Sequence, residues 1–252
     1  MIIRKSAEDL EKMRHAGRIV AGTIKAVLAH VAPGRTTEDL DRVAAAYIHE
    51  RGATPSFLGY RGFTKTICAS LNDEIVHGIP SKDRKIAEGD LVSLDFGAIW
   101  EGFHADSAVT VFAGGAAPDA DAERLVRTTE RALNDAIEAI RPGARLSDIS
   151  YAVERAATAE GLGIVREYGG HGIGRSLHED PFIPNFGKPG RGPDLRPGLV
   201  IAVEPMLNLG GEGTRTLADG WTVVTQDGSR SAHFEHTIAV TDDGHEILTA
   251  RD

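Results

Sequence analysis

The 252-residue chain holds a single cysteine, Cys68, and this scarcity excludes two kinds of stabilising site. One thiol cannot form an internal disulfide framework, and it cannot build a zinc site that is ligated by cysteines alone. Chains without disulfides are typical of reducing compartments, so we expect a cytoplasmic location.

Long apolar runs are also missing. No stretch approaches the roughly 20 apolar residues that a membrane-spanning helix needs. The first nine residues contain Arg4, Lys5, Glu8 and Asp9, which is unlike the apolar centre of a signal peptide. We therefore expect neither a secretion signal nor a membrane partner.

Positive charge is in short supply, with 28 Lys and Arg against 37 Asp and Glu and a net charge of −9. An acidic chain is a poor electrostatic match for nucleic acid, so we expect no nucleic-acid partner. Acidity favours solubility, but it also raises the question whether some carboxylates converge on cations. The 41% content of hydrophobic residues is ordinary for a globular protein, and a chain of this length can bury a sizeable core.

Two predicted helices open the chain. Apolar residues recur at helical spacing after Ser6, which resembles the start of a capping box, and Pro33-Gly34 ends the pattern. A second helix is predicted from about Thr37, as its N-cap, to Arg51, where Gly52 closes it.

The same order of signals returns 109 residues later. Helices are predicted over 125–140 and from 147 to about 160, with Pro142-Gly143 between them. The offset also matches the predicted strand Leu91–Asp95 with Val200–Glu204, and both strands end in a carboxylate.

We interpret this repeat as two similar halves, about 1–115 and 116–252, within a single domain that spans 1–252. The competing interpretation is coincidence, because most of the identical matches are turn residues. Two halves that face each other would bring Asp95 and Glu204 together near a pseudo-twofold axis. Helices combined with mostly antiparallel strands predict the α+β class.

Asp95 and Asp106 flank a predicted hairpin. A hairpin that is symmetric about residues 99–102 places the two aspartates directly opposite each other, with Cβ atoms roughly 5 Å apart. Like charges so close repel, so either one is protonated or a cation lies between them. The alternative is a different register in which both face solvent.

A second hairpin is predicted around Asp227-Gly228, and its symmetry pairs Trp221 with Glu235. His233 and Glu235 would then share one face, and His236 would take the other. A carboxylate on a half-buried face needs a partner or a metal ion.

Glycines surround His171 in the segment 169–174, and they let a backbone approach a ligand closely. Arg175 breaks the glycine pattern of dinucleotide-binding loops, so this pattern gives little support to a nucleotide cofactor, whereas a metal site could use a loop that presents one imidazole. Alone, His171 and His178 are each more readily explained as surface or structural histidines, and His77 by itself is equally uninformative.

In combination, these residues resemble the methionine aminopeptidases over almost the whole chain. Two further segments, Tyr60–Phe63 and Asn72–Pro80, match signatures of that family in order and spacing. The resemblance implies the pita-bread fold, also called the creatinase/aminopeptidase fold, with two pseudo-symmetric halves, antiparallel sheet and flanking helices. It implies a bacterial-type, type I enzyme, since the chain lacks the type II insertion and the zinc-binding extension of eukaryotic type I enzymes.

The implied activity is that of a methionyl aminopeptidase, a dinuclear metal-dependent hydrolase. It would remove the initiator methionine from nascent proteins whose second residue is small. By resemblance, Asp95 binds one metal ion with both oxygens and His171 binds the other, while Asp106 and Glu235 bridge the two. Glu204 binds a metal ion and transfers the proton.

The same resemblance assigns His77 and His178 to substrate contact and to stabilisation of the tetrahedral intermediate. The methionine pocket and its rim are expected to be formed by Phe57, Tyr60, Cys68, Leu177 and Trp221. Phe57 and Leu177 replace the cysteine and phenylalanine of the best-known bacterial forms, which puts the pocket shape in question.

Four carboxylates and one imidazole form a hard, oxygen-rich ligand set that suits Mn²⁺, Fe²⁺ or Co²⁺, with Zn²⁺ and Ni²⁺ as further candidates. By resemblance, Asn72, Glu74 and Ser231 would hold a monovalent cation. The expected partners are nascent polypeptides that begin with methionine. We expect a monomer, with ribosome association as a further hypothesis.

Three alternatives stay open. One is a related pita-bread peptidase such as a proline dipeptidase, and a second is a non-enzymatic binding protein on the same fold. The third is a mononuclear iron oxygenase, because His104-Ala105-Asp106 resembles half of a His-x-Asp…His triad.

Overall fold

The computed structural model describes residues 1–251, so the last residue of the predicted domain 1–252 lies outside the described residues. Within residues 1–251, four α-helices occur in two pairs: α1 Ala7–Leu28, α2 Thr37–Glu50, α3 Ala120–Glu138 and α4 Leu146–Ala159. Among these described residues, no helix is both long enough and apolar enough to span a membrane.

The helix starts follow the capping chemistry that the sequence suggested, with two corrections. Ser6 caps α1 in a reciprocal capping box with Asp9, as predicted. The N-cap of α2 is Thr36 rather than Thr37, because the Thr36 hydroxyl accepts the Asp39 N–H. Helix α3 begins five residues earlier than predicted, since Asp119 caps it by accepting the Ala122 N–H.

Short strands, all paired antiparallel, make up the rest of the regular structure. Within the described chain they are β1 Thr54–Pro55, β2 Ile67–Leu71, β3 Glu74–Val76, β4 Leu91–Trp100, β5 Phe103–Phe112, β6 Gly163–Ile164, β7 Gly169–Gly172, β8 Glu179–Pro184, β9 Val200–Val203, β10 Met206–Asn208, β11 Thr214–Thr216, β12 Val223–Thr225, β13 Ser231–His233, β14 His236–Val240 and β15 His245–Ile247. A 3-10 turn covers Tyr60–Gly62. Helices with antiparallel sheet confirm the predicted α+β class.

Two larger sheets position the site. In the first, β4 is central, with β5 on one side and both β1 and β2 on the other. The second has the order β15-β14-β9-β7-β8, and two three-stranded sheets, β13-β10-β6 and β11-β12-β3, complete the fold. One hydrophobic core joins residues from all four helices and both larger sheets, including Ile24, Leu40, Leu94, Leu133 and Ile201.

The 109-residue offset recurs in the backbone hydrogen bonds. Gly34 N–H donates to the Ile86 carbonyl at 2.8 Å, and Gly143 N–H donates to the Leu195 carbonyl at 3.0 Å. Isolated β-bridges repeat in the same way, at Thr36 with Lys85 and at Arg145 with Asp194. Coincidence does not produce matched hydrogen bonds, so the two halves share a backbone architecture.

The predicted register of the first hairpin is wrong by two residues. Asp106 lies opposite Gly97, and Asp95 lies opposite Ala108. The cause is a two-residue turn at Glu101-Gly102, whose φ angles of 46° and 79° are both positive, as a type I′ turn requires. The two aspartates are therefore diagonal neighbours on one face rather than directly opposite.

The predicted pairing of Trp221 with Glu235 is also wrong. Strand β12 pairs with β3 on one edge and β11 on the other, which leaves it no free edge for β13. Strand β13 pairs instead with β10. The Asp227-Gly228 turn thus connects strands of different sheets.

Candidate metal centre

Five side chains from different strands reach one cavity of about 610 Å³. Asp95 comes from β4, Asp106 from β5 and His171 from β7, while Glu204 follows β9 and Glu235 lies between β13 and β14. Asp106, His171 and Glu235 place ligand atoms within 4.8 Å of one another. The structure thus brings together all five residues that the sequence proposed as metal ligands.

Burial destabilises the charged form of these carboxylates. It raises the pKa of Glu204 to about 8 and the pKa of Asp95 to about 6. The pKa values of Asp106 and Glu235 are raised well above their ordinary range, first by burial and then by the neighbouring carboxylates. Clustered acidic groups out of water keep their charge only when cations compensate them.

Two carboxylate oxygens support this interpretation directly. Asp95 Oδ1 and Asp106 Oδ1 are buried and have no hydrogen-bond partner among the described residues. Buried polar atoms are nearly always satisfied, so each exception calls for an explanation such as a bound ion.

The hydrogen bond and the protonation state of His171 suit a metal ligand. Its Nδ1 lies 2.9 Å from the Gly172 carbonyl, to which it can only donate a proton. Burial lowers the pKa of His171 to about 3, so the ring is neutral and Nε2 carries a lone pair. That lone pair faces Glu204 Oε1 at 3.6 Å. When Glu204 is ionised, two acceptors face each other, and such a pair fits a cation between them. A carbonyl on the opposite ring nitrogen is the usual support of a metal-bound histidine.

The two predicted substrate histidines line the same cavity. The His178 ring lies 4.2 Å from the His171 ring, and its Nδ1 is 2.9 Å from the Tyr60 hydroxyl oxygen. His77 packs edge-on against Tyr168 and Trp221, and burial lowers its pKa to about 4. Burial also lowers the pKa of His178, so both histidines are available as neutral hydrogen-bonding groups.

The predicted pocket residues Phe57, Tyr60, Cys68, Leu177 and Trp221 all line the cavity as well. Phe57, Cys68 and Leu177 are buried in one apolar cluster with Phe63. Trp221 packs edge-on against Phe63, with 5.1 Å between ring centroids. Cys68 lies opposite Asp95 in the sheet, which places the apolar wall next to the carboxylates.

Several lining residues were not predicted as part of the site, among them Phe63, Tyr168, Met206 and His233. Strand alternation could have found two of them, since Met206 lies two residues after Glu204 and His233 two residues before Glu235. His233 Nε2 is 3.5 Å from Glu204 Oε2.

The monovalent cation stays a prediction. Ser231 N–H donates to the Asn72 carbonyl at 2.9 Å, so these two residues do meet. The Glu74 carboxylate, however, is already paired with Arg84.

The position of His104 argues against the iron oxygenase alternative. His104 Nδ1 is 2.9 Å from Ser56 Oγ, and His104 is not among the described residues that line the cavity.

Comparisons with known proteins agree with this geometry. The model of metallopeptidase family M24 matches residues 11–242. A methionine aminopeptidase 1 from Mycobacterium tuberculosis is 52% identical over 99% of this chain and 95% of its own length. The crystal structure of a methionine aminopeptidase from Thermotoga maritima has a TM-score of 0.97 and 43% identity, with full coverage of both chains. A prolidase from Pyrococcus furiosus has a TM-score of 0.79 over 99% of this chain and 66% of its own, but at 22% identity it shows a shared fold alone.

Proposed function

Since the chain belongs to metallopeptidase family M24, we propose that it hydrolytically removes the N-terminal methionine from nascent polypeptides whose second residue is small. The predicted pita-bread fold is confirmed by the likeness to methionine aminopeptidases and prolidases. One observation carries the proposal: an acidic, cation-seeking cluster and an apolar wall share one cavity.

In this proposal Asp95, Asp106, His171, Glu204 and Glu235 hold two divalent metal ions. Mn²⁺, Fe²⁺ and Co²⁺ suit the ligand set best, and Zn²⁺ and Ni²⁺ are further candidates. When bound, such a pair supplies an activated water and polarises the scissile carbonyl.

The protein's own side chains would do the remaining work. The apolar wall around Phe57 and Leu177 accepts the methionine side chain and excludes water from it. When the Tyr60 hydroxyl donates to His178 Nδ1, the proton of this ring sits on Nε2, and it can donate to the substrate carbonyl oxygen as charge develops there. His77 is a second neutral group for the same purpose.

Glu204 suits proton transfer. Its carboxylate lies in the cavity beside His171 and His233, so it would be within reach of both the attacking water and the leaving amine. It would accept a proton from the attacking water and return it to the leaving amine.

The restriction to a small second residue rests on the family resemblance. A monomeric state, a cytoplasmic location and association with the ribosome belong to the proposal in the same way.

A peptide panel tests the proposal. Protein reconstituted with Mn²⁺ should release methionine rapidly from Met-Ala-Ser, far more slowly from Met-Leu-Ser, and should leave Ala-Pro-Ser intact. Cleavage of Ala-Pro-Ser alone would favour a proline peptidase, which the shared fold with a prolidase makes the second candidate. Protein that binds metal but cleaves none of the three would be a binding protein instead.

A further inference from the structure

Glu204 lies between two imidazoles, and each of its oxygens faces one of them. His171 Nε2 is 3.6 Å from Oε1, and His233 Nε2 is 3.5 Å from Oε2. Both histidine side chains are buried, with 6% and 3% of their surface exposed, so water does not compete for these contacts.

The two imidazoles differ in what they can offer. His171 uses its one proton at Nδ1 on the Gly172 carbonyl, so its Nε2 can only accept. His233 has no such commitment: its Nε2 is buried and has no hydrogen-bond partner among residues 1–251. A neutral His233 can therefore carry its proton on Nε2, directed at Glu204.

The backbone around His233 is fixed from both sides. Its N–H donates to Thr110 Oγ1 at 2.9 Å, and Thr110 Oγ1 donates to its carbonyl at 2.9 Å. Pairing of His233 with Met206 in the neighbouring strand adds to this support. The side chain is thus aimed at Glu204 by β5 and β10 together.

We propose that His233 is a positioning residue for Glu204. Its Nε2–H donates to Oε2 and holds that oxygen, which leaves Oε1 directed to the His171 side of the cavity. A movement of about 0.5 Å closes the contact to an ordinary hydrogen bond of 2.9–3.0 Å. The inference rests on the proposed metal site, and it makes the two oxygens of Glu204 inequivalent.

The magnitude follows from what such supporting hydrogen bonds do elsewhere. Loss of a partner that orients a metal ligand typically weakens metal binding by about 10–100-fold. His233→Met removes the donor at similar side-chain length, whereas His233→Gln keeps an N–H donor without the imidazole. His236→Gln is the matched control, because His236 follows Glu235 but is bonded to Thr249.

The experiment is a calorimetric titration of each variant with Mn²⁺, alongside urea unfolding without metal to show that each is folded. His233→Met should bind Mn²⁺ about 10–100-fold more weakly, and His233→Gln and His236→Gln should stay within about threefold of the parent. At saturating Mn²⁺, His233→Met should lower kcat for Met-Ala-Ser and leave KM within about twofold, because Glu204 acts on the chemical step.

Parent-like Mn²⁺ affinity in a folded His233→Met would overturn the proposal, as would an equal loss in His233→Gln, which would show that the imidazole itself is needed. If His233→Met does not fold, His233→Ala takes its place in the same Mn²⁺ titration, because it also lacks the N–H donor. A parent protein that binds no Mn²⁺ would instead refute the proposed metal site, so the two failures are distinguishable.

Discussion

Chelation of divalent metal ions should make the protein lose stability as the pH rises from 6.5 to 8. The cause is the buried carboxylate cluster. Burial moves the pKa of Glu204 from its ordinary 4.5 to about 8, and the pKa values of Asp106 and Glu235 are raised as well. Without cations, the folded protein therefore retains protons that the unfolded chain releases.

The sign follows from proton linkage. Between pH 4.5 and 8, Glu204 is ionised in the unfolded chain but protonated in the folded one, so the free energy of unfolding falls as the pH rises. Buried histidines such as His77 and His171 act oppositely, because their folded pKa values of about 4 and 3 lie below the ordinary 6.5. At pH 6.5 the unfolded histidines are still half protonated, so each buried histidine adds about 0.4 kcal/mol between pH 6.5 and 8. The combined decrease from Glu204, Asp106 and Glu235 acts in the opposite direction and outweighs this rise.

The size comes from the same shift. One group whose folded state stays protonated changes the free energy of unfolding by about 1.4 kcal/mol per pH unit. Glu204 alone then lowers it by roughly 2 kcal/mol between pH 6.5 and 8. Asp106 and Glu235 act in the same direction.

Urea unfolding at pH 6.5 and 8, followed by the fluorescence of Trp100 and Trp221, measures this difference. In EDTA the decrease should appear, and in Mn²⁺ it should vanish because the bound ions keep the carboxylates ionised in the folded state. Glu204→Gln removes one of the titrating groups, so the decrease in the free energy of unfolding should be smaller by roughly 2 kcal/mol. A free energy of unfolding that stays constant or rises in EDTA would refute the electrostatic account of the cluster.

Two further predictions concern stability and the pocket. The Glu179 carboxylate is buried and lies 2.8 Å from Lys5 Nζ. Lys5→Met leaves this charge without a partner and should lower the free energy of unfolding, measured in urea, by about 3–5 kcal/mol. Lys12→Met breaks only pairs with the exposed carboxylates of Glu8 and Glu101 and should cost under about 1 kcal/mol; equal costs would contradict the role of burial. Leu177→Ala should lower kcat/KM for Met-Ala-Ser about tenfold through lost contact with the methionine side chain, and an unchanged value would remove Leu177 from the pocket.

The sequence was a better guide to which residues share the cavity than to how the strands around the cavity pair. The 109-residue offset matched β4, which carries Asp95, with β9, which Glu204 follows, and both side chains line the same cavity. The glycine-rich segment pointed to His171, which lines that cavity as well. Both signals depend on local chemistry that is repeated along the chain. Strand alternation places His233 on the same face as Glu235, but its contact with Glu204 depends on where two sheets come together, which a local pattern does not show.

Strand registers failed for a related physical reason. The turn at Glu101-Gly102 needs a positive φ at a glutamate, a residue type that gives no turn signal there. Strand β12 is rich in β-branched residues, as a hairpin strand would be. Its two edges are nevertheless filled by β11, the strand before it, and by β3, which lies far earlier in the sequence. Which strand occupies an edge is decided by the tertiary structure. The assumption of a symmetric hairpin was therefore wrong at both places.

The central claim is that one metal cluster in one cavity performs methionine release, and His171→Ala tests it most directly. The measurement is free methionine released from Met-Ala-Ser by the parent and the variant, each titrated with Mn²⁺ and each shown to be folded. The account predicts methionine release by the parent and none above background by His171→Ala at any Mn²⁺ concentration. Full activity of the folded variant would contradict it, because catalysis would then not depend on the imidazole at the centre of the proposed site.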